Sequence, residues 1–146
     1  MNPTQISLVQ QSFSKVAPIA DAAAEMFYKR LFEIDPSLSK LFRGDMREQG
    51  RMLMSMIAMA VRGLDRIETL VPVVRKLGAR HAGYGVKDRD YDSVGTALLW
   101  TLEQGLGGEF TPEVRAAWTA VYGLLAQTMR DAANMDNFSM VSCWMS

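Results

Sequence analysis

The chain holds one histidine, His81, and one cysteine, Cys143, so any imidazole chemistry falls to a single residue. A lone cysteine cannot close an internal disulfide, and a lone histidine cannot build a Cys/His cluster or a multi-histidine metal site. Zinc-finger and di-iron readings are thereby excluded. His81 follows Leu77 by four residues, Val74 by seven and Leu70 by eleven, a spacing that puts it on the inward face of a helix. Two roles answer that position: a core histidine satisfied by a carbonyl, or a metal ligand.

Two further polar side chains fall on stripes that ought to be apolar. Gln49 precedes Leu53 by four residues, Ile57 by eight and Ala60 by eleven, and Tyr28 stands beside Phe27 one turn before Phe32. Taken singly, Tyr28 could be half exposed and Gln49 could lie at the solvent end of its helix. Together they suggest a polar spot in an apolar lining, because buried polar groups without partners cost free energy.

The elements that must position these residues are helical throughout. Apolar residues recur at three-to-four spacing and almost nowhere alternate, which predicts an all-α domain of six or seven helices. Leu8, Phe13 and Val16 mark a first helix that stops before Pro18; a second carries Ile19, Ala23, Phe27, Leu31 and Ile34 as far as Asp35-Pro36. Pro36 to Phe42 reads as a short turn or helix. Stripes at Leu53, Ile57, Ala60, Leu64 and at Leu70, Val74, Leu77 follow, the second ending near Gly83 and Gly85. Asp88 or Asp90 is expected to cap a helix bearing Val94, Leu98 and Leu102, and Thr111-Pro112-Glu113 starts the last one.

A chain of 146 residues with 49% hydrophobic content suits one compact domain large enough to enclose a ligand. Sixteen basic against sixteen acidic side chains leave no net field to attract nucleic acid or an anionic membrane. The apolar run from Met52 to Val61 is about half the roughly 20 residues a spanning helix needs. Met1 to Gln11 lacks the features of an export signal, so a cytoplasmic location is the expectation.

A series of short matches then converges on one family. Phe27-Tyr28-Lys29, Leu31-Phe32, Pro36, Leu41-Phe42, Glu48-Gln49, Arg80-His81, Gly85-Val86, Tyr91, Val94-Gly95, Ala117-Trp118 and Tyr122-Gly123 occur in order. In this order and spacing the chain resembles the single-domain bacterial globins, and is similar to the haem domain of flavohaemoglobins, over roughly Gln5 to Met129. The resemblance implies a globin domain over residues 1–134 and a tail of unknown role over 135–146.

It also implies b-type haem, with His81 as the proximal iron ligand, Tyr28 and Gln49 as the distal polar pair, Phe42 on the porphyrin and Leu53 crowding the ligand pocket. Val86, Val94 and Leu98 would complete the cofactor's apolar surround. With no second histidine, bis-histidine coordination is ruled out, and the sixth position is left for a gas. A partly negative dioxygen gains from donors at Tyr28 and Gln49, whereas carbon monoxide gains less. High oxygen affinity is expected, serving storage, delivery or sensing.

Tyr91 matches a family tyrosine that joins the proximal histidine to a glutamate of the last helix. Here that glutamate's position is Ala133, and Asp131 points to another face. The missing carboxylate implies a weaker electron push from the imidazole. An enzymatic alternative is nitric oxide dioxygenation. No reductase domain lies within these 146 residues, so turnover is expected to need a separate reductase. A haem-independent helical interaction module is the third reading.

Other features have plainer accounts. Met52, Met54, Met56 and Met59 hint at copper, but Met54 points away from the rest in a helix, and methionine commonly fills cores. Arg75, Lys76 and Arg80 read as a solvated face, or as contacts to a haem propionate. The glycines from 105 to 108 follow no strand and form no phosphate loop.

Overall fold

The computed structural model describes residues 2–42, 44–83 and 88–135, with backbone alone at 41, 79–83, 88 and 133–135. Val86 and the segment from 136 to 146, including Cys143, lie outside the described residues. Among the described residues six α-helices follow one another: α1 (Pro3–Val16), α2 (Ala20–Ile34), α3 (Met46–Arg62), α4 (Ile67–Gly83), α5 (Asp88–Leu106) and α6 (Pro112–Met135). Short 3₁₀ turns at Ala17–Ile19, Pro36–Leu41, Gly63–Asp65 and Gly107–Glu109 link them, and no strand occurs among the described residues. The all-α expectation holds. No described helix is long and apolar enough to cross a membrane.

The breaks fall where local chemistry puts them. α1 opens on a reciprocal cap in which Asn2 and Gln5 satisfy each other's backbone amides. Pro18 turns the chain through a 3₁₀ step, so α2 begins two residues later than the proline itself. α6 starts with proline in its first turn, and Thr111 Oγ1 accepts from Val114 N at 3.2 Å. Asp90 departs from its expected capping role: it lies inside the first turn of α5 and is only 5% exposed.

The main core gathers Val9, Phe13, Val16, Leu102, Ala117, Trp118 and Val121 from α1, α5 and α6, with Val61, Leu70 and Val74 from α3 and α4. Trp118 is 3% exposed and its indole donates to Ser12 Oγ at 2.8 Å, while that hydroxyl reaches Leu8 O at 2.7 Å. The indole's polar atom is therefore satisfied inside the core.

Two glycines set how closely the helices approach. A β-carbon at Gly50 would lie 2.9 Å from Ala24 Cβ, so α3 rests against α2 with almost no gap. At Gly78 it would lie 2.6 Å from Met129 Cα, so the α4 and α6 backbones meet directly. The second contact falls three residues before His81.

Candidate functional site

A second apolar cluster lies beside the main core. Phe27, Tyr28 and Leu31 of α2 meet Leu38 of the following turn and Ala97 of α5, with Phe32, Phe42, Met46, Leu53, Val94 and Leu98 packed around them. Positions 27, 28 and 31 share one helical face, which delivers both rings to the same side. Asp35 ends α2 in extended geometry and its carboxylate accepts from Ser37 N at 3.1 Å, folding the chain back so that Phe42 returns to Tyr28. The 97 position is an alanine with no exposed surface, which lets α5 close on α2.

Tyr28 is the polar member of this cluster and is 7% exposed, so the half-exposed alternative is set aside. Its ring meets Phe27 at 5.2 Å and Phe42 at 5.1 Å edge-on, and stacks with Phe32 at 6.0 Å. Its hydroxyl donates to Gln49 O at 3.3 Å, a long contact for an O–H···O bond. Burial raises the phenol from 10.0 to about 12, so it stays protonated and able to donate. The Gly50 approach brings this carbonyl within reach. Gln49 itself is partly exposed in the opening turn of α3, and the atom that meets Tyr28 is its backbone oxygen.

Leu53, Phe27 and Leu98 also line a small cavity shared with Phe13, Val16 and Trp118. The one hydroxyl in the lining, on Thr101, donates to Ala97 O at 2.8 Å, so the cavity presents no unsatisfied side-chain donor from that residue. It is a side pocket next to Leu53 and far too small for a porphyrin.

His81 lies in the last turns of α4, whose contacts run chiefly to α6. In the first turns of α5, Tyr91 is buried, and Tyr122 Oη donates to its backbone oxygen at 2.6 Å. Burial lifts the Tyr122 hydroxyl well above the usual phenol range, the Arg130 guanidinium opposing that shift. Arg130 also lies 5.3 Å from the centre of the Tyr91 ring and pairs with Asp92 Oδ1 at 3.0 Å. Asp131 faces away, exposed and bonded to Gln127 at 2.8 Å.

Sequence reasoning missed Arg130. The signal was available, since Arg130 follows Tyr122 by eight and Ala126 by four, which puts a cation on an inward stripe of α6. Arg75 and Lys76 are exposed, as a solvated face requires. The methionines divide: Met54 packs on the core, but Met52 and Met59 are 58% and 40% exposed, which corrects the core-filler expectation for those two.

The all-helical order agrees with comparisons to known proteins. The globin family model matches residues 25–129. The chain therefore belongs to the globin family, whose members hold haem and bind gaseous ligands on it. Among curated relatives, the flavohemoprotein of Xylella fastidiosa is 29% identical over 133 residues, covering 89% of this chain and 33% of that one. The flavohemoprotein of Bacillus subtilis is 27% identical over 124 residues, covering 83% and 31%. That of Halalkalibacterium halodurans is 30% identical over 122 residues, covering 82% and 30%. The chain spans about a third of the length of these relatives.

The residues present suit that cofactor. α2, α3 and α5 supply an apolar and aromatic wall that includes one protonated phenol, and α4 carries the chain's sole imidazole. The largely apolar face of a porphyrin gains from such a surface, and its iron needs a donor such as the imidazole.

Proposed function

We propose that the chain binds dioxygen reversibly on b-type haem, with residues 1–134 as the binding unit. In this reading haem, when bound, supplies an iron held by His81 with one open position for a gas. Every other contribution is the protein's own. Phe42 and Leu53 keep water from the pocket, Val94 and Leu98 shape its floor, and Val86 is assigned to the same surround. Tyr28 and Gln49 offer hydrogen-bond donors to a ligand that carries partial negative charge. Tyr91, tied to α6 through Tyr122, is assigned to positioning the imidazole.

The observation that carries the reading is Tyr28: a buried phenol, raised to about 12 and held by a single bond of 3.3 Å. A bond that long is weak, so turning the hydroxyl toward a better acceptor costs little. Gln49 then contributes twice, as the resting acceptor through its carbonyl and as a second donor through its amide.

Absorption spectra of the hemin-loaded protein in oxidised, reduced and oxygenated forms test the haem and its axial ligand. An intense Soret band that His81→Ala weakens or shifts is expected, and hemin retention untouched by that change would refute the assignment. The dissociation rate of oxygen before and after Tyr28→Phe tests the distal role, with a rise expected. Partial negative charge on dioxygen is the reason carbon monoxide release should respond far less.

The likeness to flavohemoproteins supports a second reading, nitric oxide dioxygenation with a separate reductase. In it one nitric oxide, one dioxygen and one electron from the reductase give one nitrate. Nitrate formed per protein chain under steady reduction and excess nitric oxide separates the two, since multiple turnovers belong only to the enzyme.

A further inference from the structure

We propose that Gly50 and Ala24 are a matched pair of positioning residues that limits how strongly the site prefers dioxygen over carbon monoxide. Their contact holds the Gln49 carbonyl against the Tyr28 hydroxyl. Given the distal role proposed for Tyr28, on which this rests, that bond decides how much of the hydroxyl is left for a gas.

The pieces lie one helical turn apart. Ala24 precedes Tyr28 by four residues, so its methyl and the phenol share one face of α2, and Gly50 directly follows Gln49 on α3. Ala24 is 4% exposed and Gly50 is buried. Glycine is a poor residue for a helix interior, so its place in the second turn of α3 calls for a reason that packing supplies. A β-carbon there would lie 2.9 Å from Ala24 Cβ. Carbons rest at about 3.5–4.0 Å, and an alanine methyl is fixed to its backbone, so admitting a side chain at position 50 means parting α2 and α3 by roughly 0.5–1 Å.

The Tyr28 bond has no slack to absorb such a parting. At 3.3 Å it is already long for an O–H···O bond, and by about 3.6 Å no bond remains. The phenol is not free to follow α3, because Phe27, Phe32 and Phe42 pack around its ring. Within α3 the Gln49 oxygen also serves the helix's own ladder, so Tyr28 takes only its second lone pair. A buried hydroxyl deprived of this resting acceptor is destabilised until a ligand supplies another, which favours the gas that accepts better. Gly50 thus acts as a brake on oxygen affinity.

The pair can be broken from one helix and rebuilt from the other. At Gly78 the opposing atoms are backbone, which no substitution removes, whereas at Gly50 the opposing atom is a single methyl carbon. Removing that methyl by Ala24→Gly makes room for a new one at position 50.

The test compares the full haem-loaded chain with Gly50→Ala and with Gly50→Ala combined with Ala24→Gly, each in a Gln49→Leu background. Leucine there removes the amide donor, which would move with α3, and keeps the backbone carbonyl. The readout is the ratio of oxygen to carbon monoxide release rates, since any shift of Leu53 acts on both gases. Gly50→Ala is expected to lower that ratio by roughly two- to threefold, the scale of one weak hydrogen bond, and the double variant to restore it. Tyrosine labelled with ¹³C at Cζ follows the bond itself in the diamagnetic carbon monoxide form. Of the four tyrosines, the signal absent in Tyr28→Phe should shift in Gly50→Ala and move back in the double variant. General loosening of the fold would instead speed both gases together or shed hemin. A ratio unchanged or raised in Gly50→Ala, a Tyr28 signal that does not move, or no restoration in the double variant would each overturn the proposal and leave the distal role of Tyr28 standing. Oxygen release unaffected by Tyr28→Phe would overturn that role and the proposal together.

Discussion

Two buried rings with polar tips make an instructive contrast. The Trp118 indole donates to Ser12 at 2.8 Å, and that hydroxyl passes on to Leu8 O, so the chain of donors closes within the core. The Tyr28 hydroxyl reaches its carbonyl at 3.3 Å and sits among partly exposed neighbours such as Phe32, Phe42 and Leu53. Both rings are more than nine-tenths buried, yet one is fully tied and the other only loosely. Tight satisfaction marks a residue that holds helices together, and loose satisfaction marks one whose polar atom is available to something else. Burial alone would not separate them.

The contrast can be broken first by stability. Trp118→Ala should cost about 3–5 kcal/mol by leaving a large void and orphaning the packing of α1 on α6. Chemical denaturation would read this as a lowered midpoint. Tyr28→Phe keeps the ring and removes only a weak bond, so a loss of less than about 1 kcal/mol is expected in the same assay. Equal losses for the two would erase the distinction.

Gly78→Ala comes next. Its new β-carbon would meet the Met129 backbone, which cannot swing aside as a side chain can, so about 1–3 kcal/mol of destabilisation is expected. Hemin retention should fall with it, because α4 carries His81. Normal retention in a destabilised variant would separate the α4–α6 contact from the imidazole's placement.

Oxygen kinetics sharpen the comparison further. Tyr28→Phe should speed oxygen release roughly two- to tenfold, as one net hydrogen bond of about 0.5–1.5 kcal/mol is lost. The smallest effect concerns pH. Burial raises the Tyr28 phenol from 10.0 to about 12, so its contribution to stability is fully present below pH 10 and is lost as pH rises through about 12. Tyr122, raised for the same reason, acts with the same sign. Denaturation midpoints measured between about pH 9 and about pH 12 should therefore fall less steeply for Tyr28→Phe than for the parent.

Much of the architecture was legible because each break has a local chemical cause. Pro18, Pro36 and Pro112 punctuate the helices in the sequence and in the structure, and the three-to-four stripes turn inward as their spacing requires. Of the candidate site, Tyr28 was legible because a hydroxyl on an apolar face stands out. The Gln49 contact was not, since the group involved is a backbone carbonyl, which every residue carries. Arg130 was passed over because a charged residue in the final turns of a helix is ordinarily solvated, and its role appears only when the Tyr91 ring arrives beneath it from another helix. Met52 and Met59 went the other way: their type predicted core, and the surface took them because Met54 and Ile57 already fill the inner side of α3.

The meeting of bare backbones at Gly78 has a mechanical consequence. With no side chain interposed, α4 has no soft layer on which to slide, so it and α6 must travel as one stiff lever. Any displacement of α4 near position 81 would be felt along the final helix, toward whatever its far end touches.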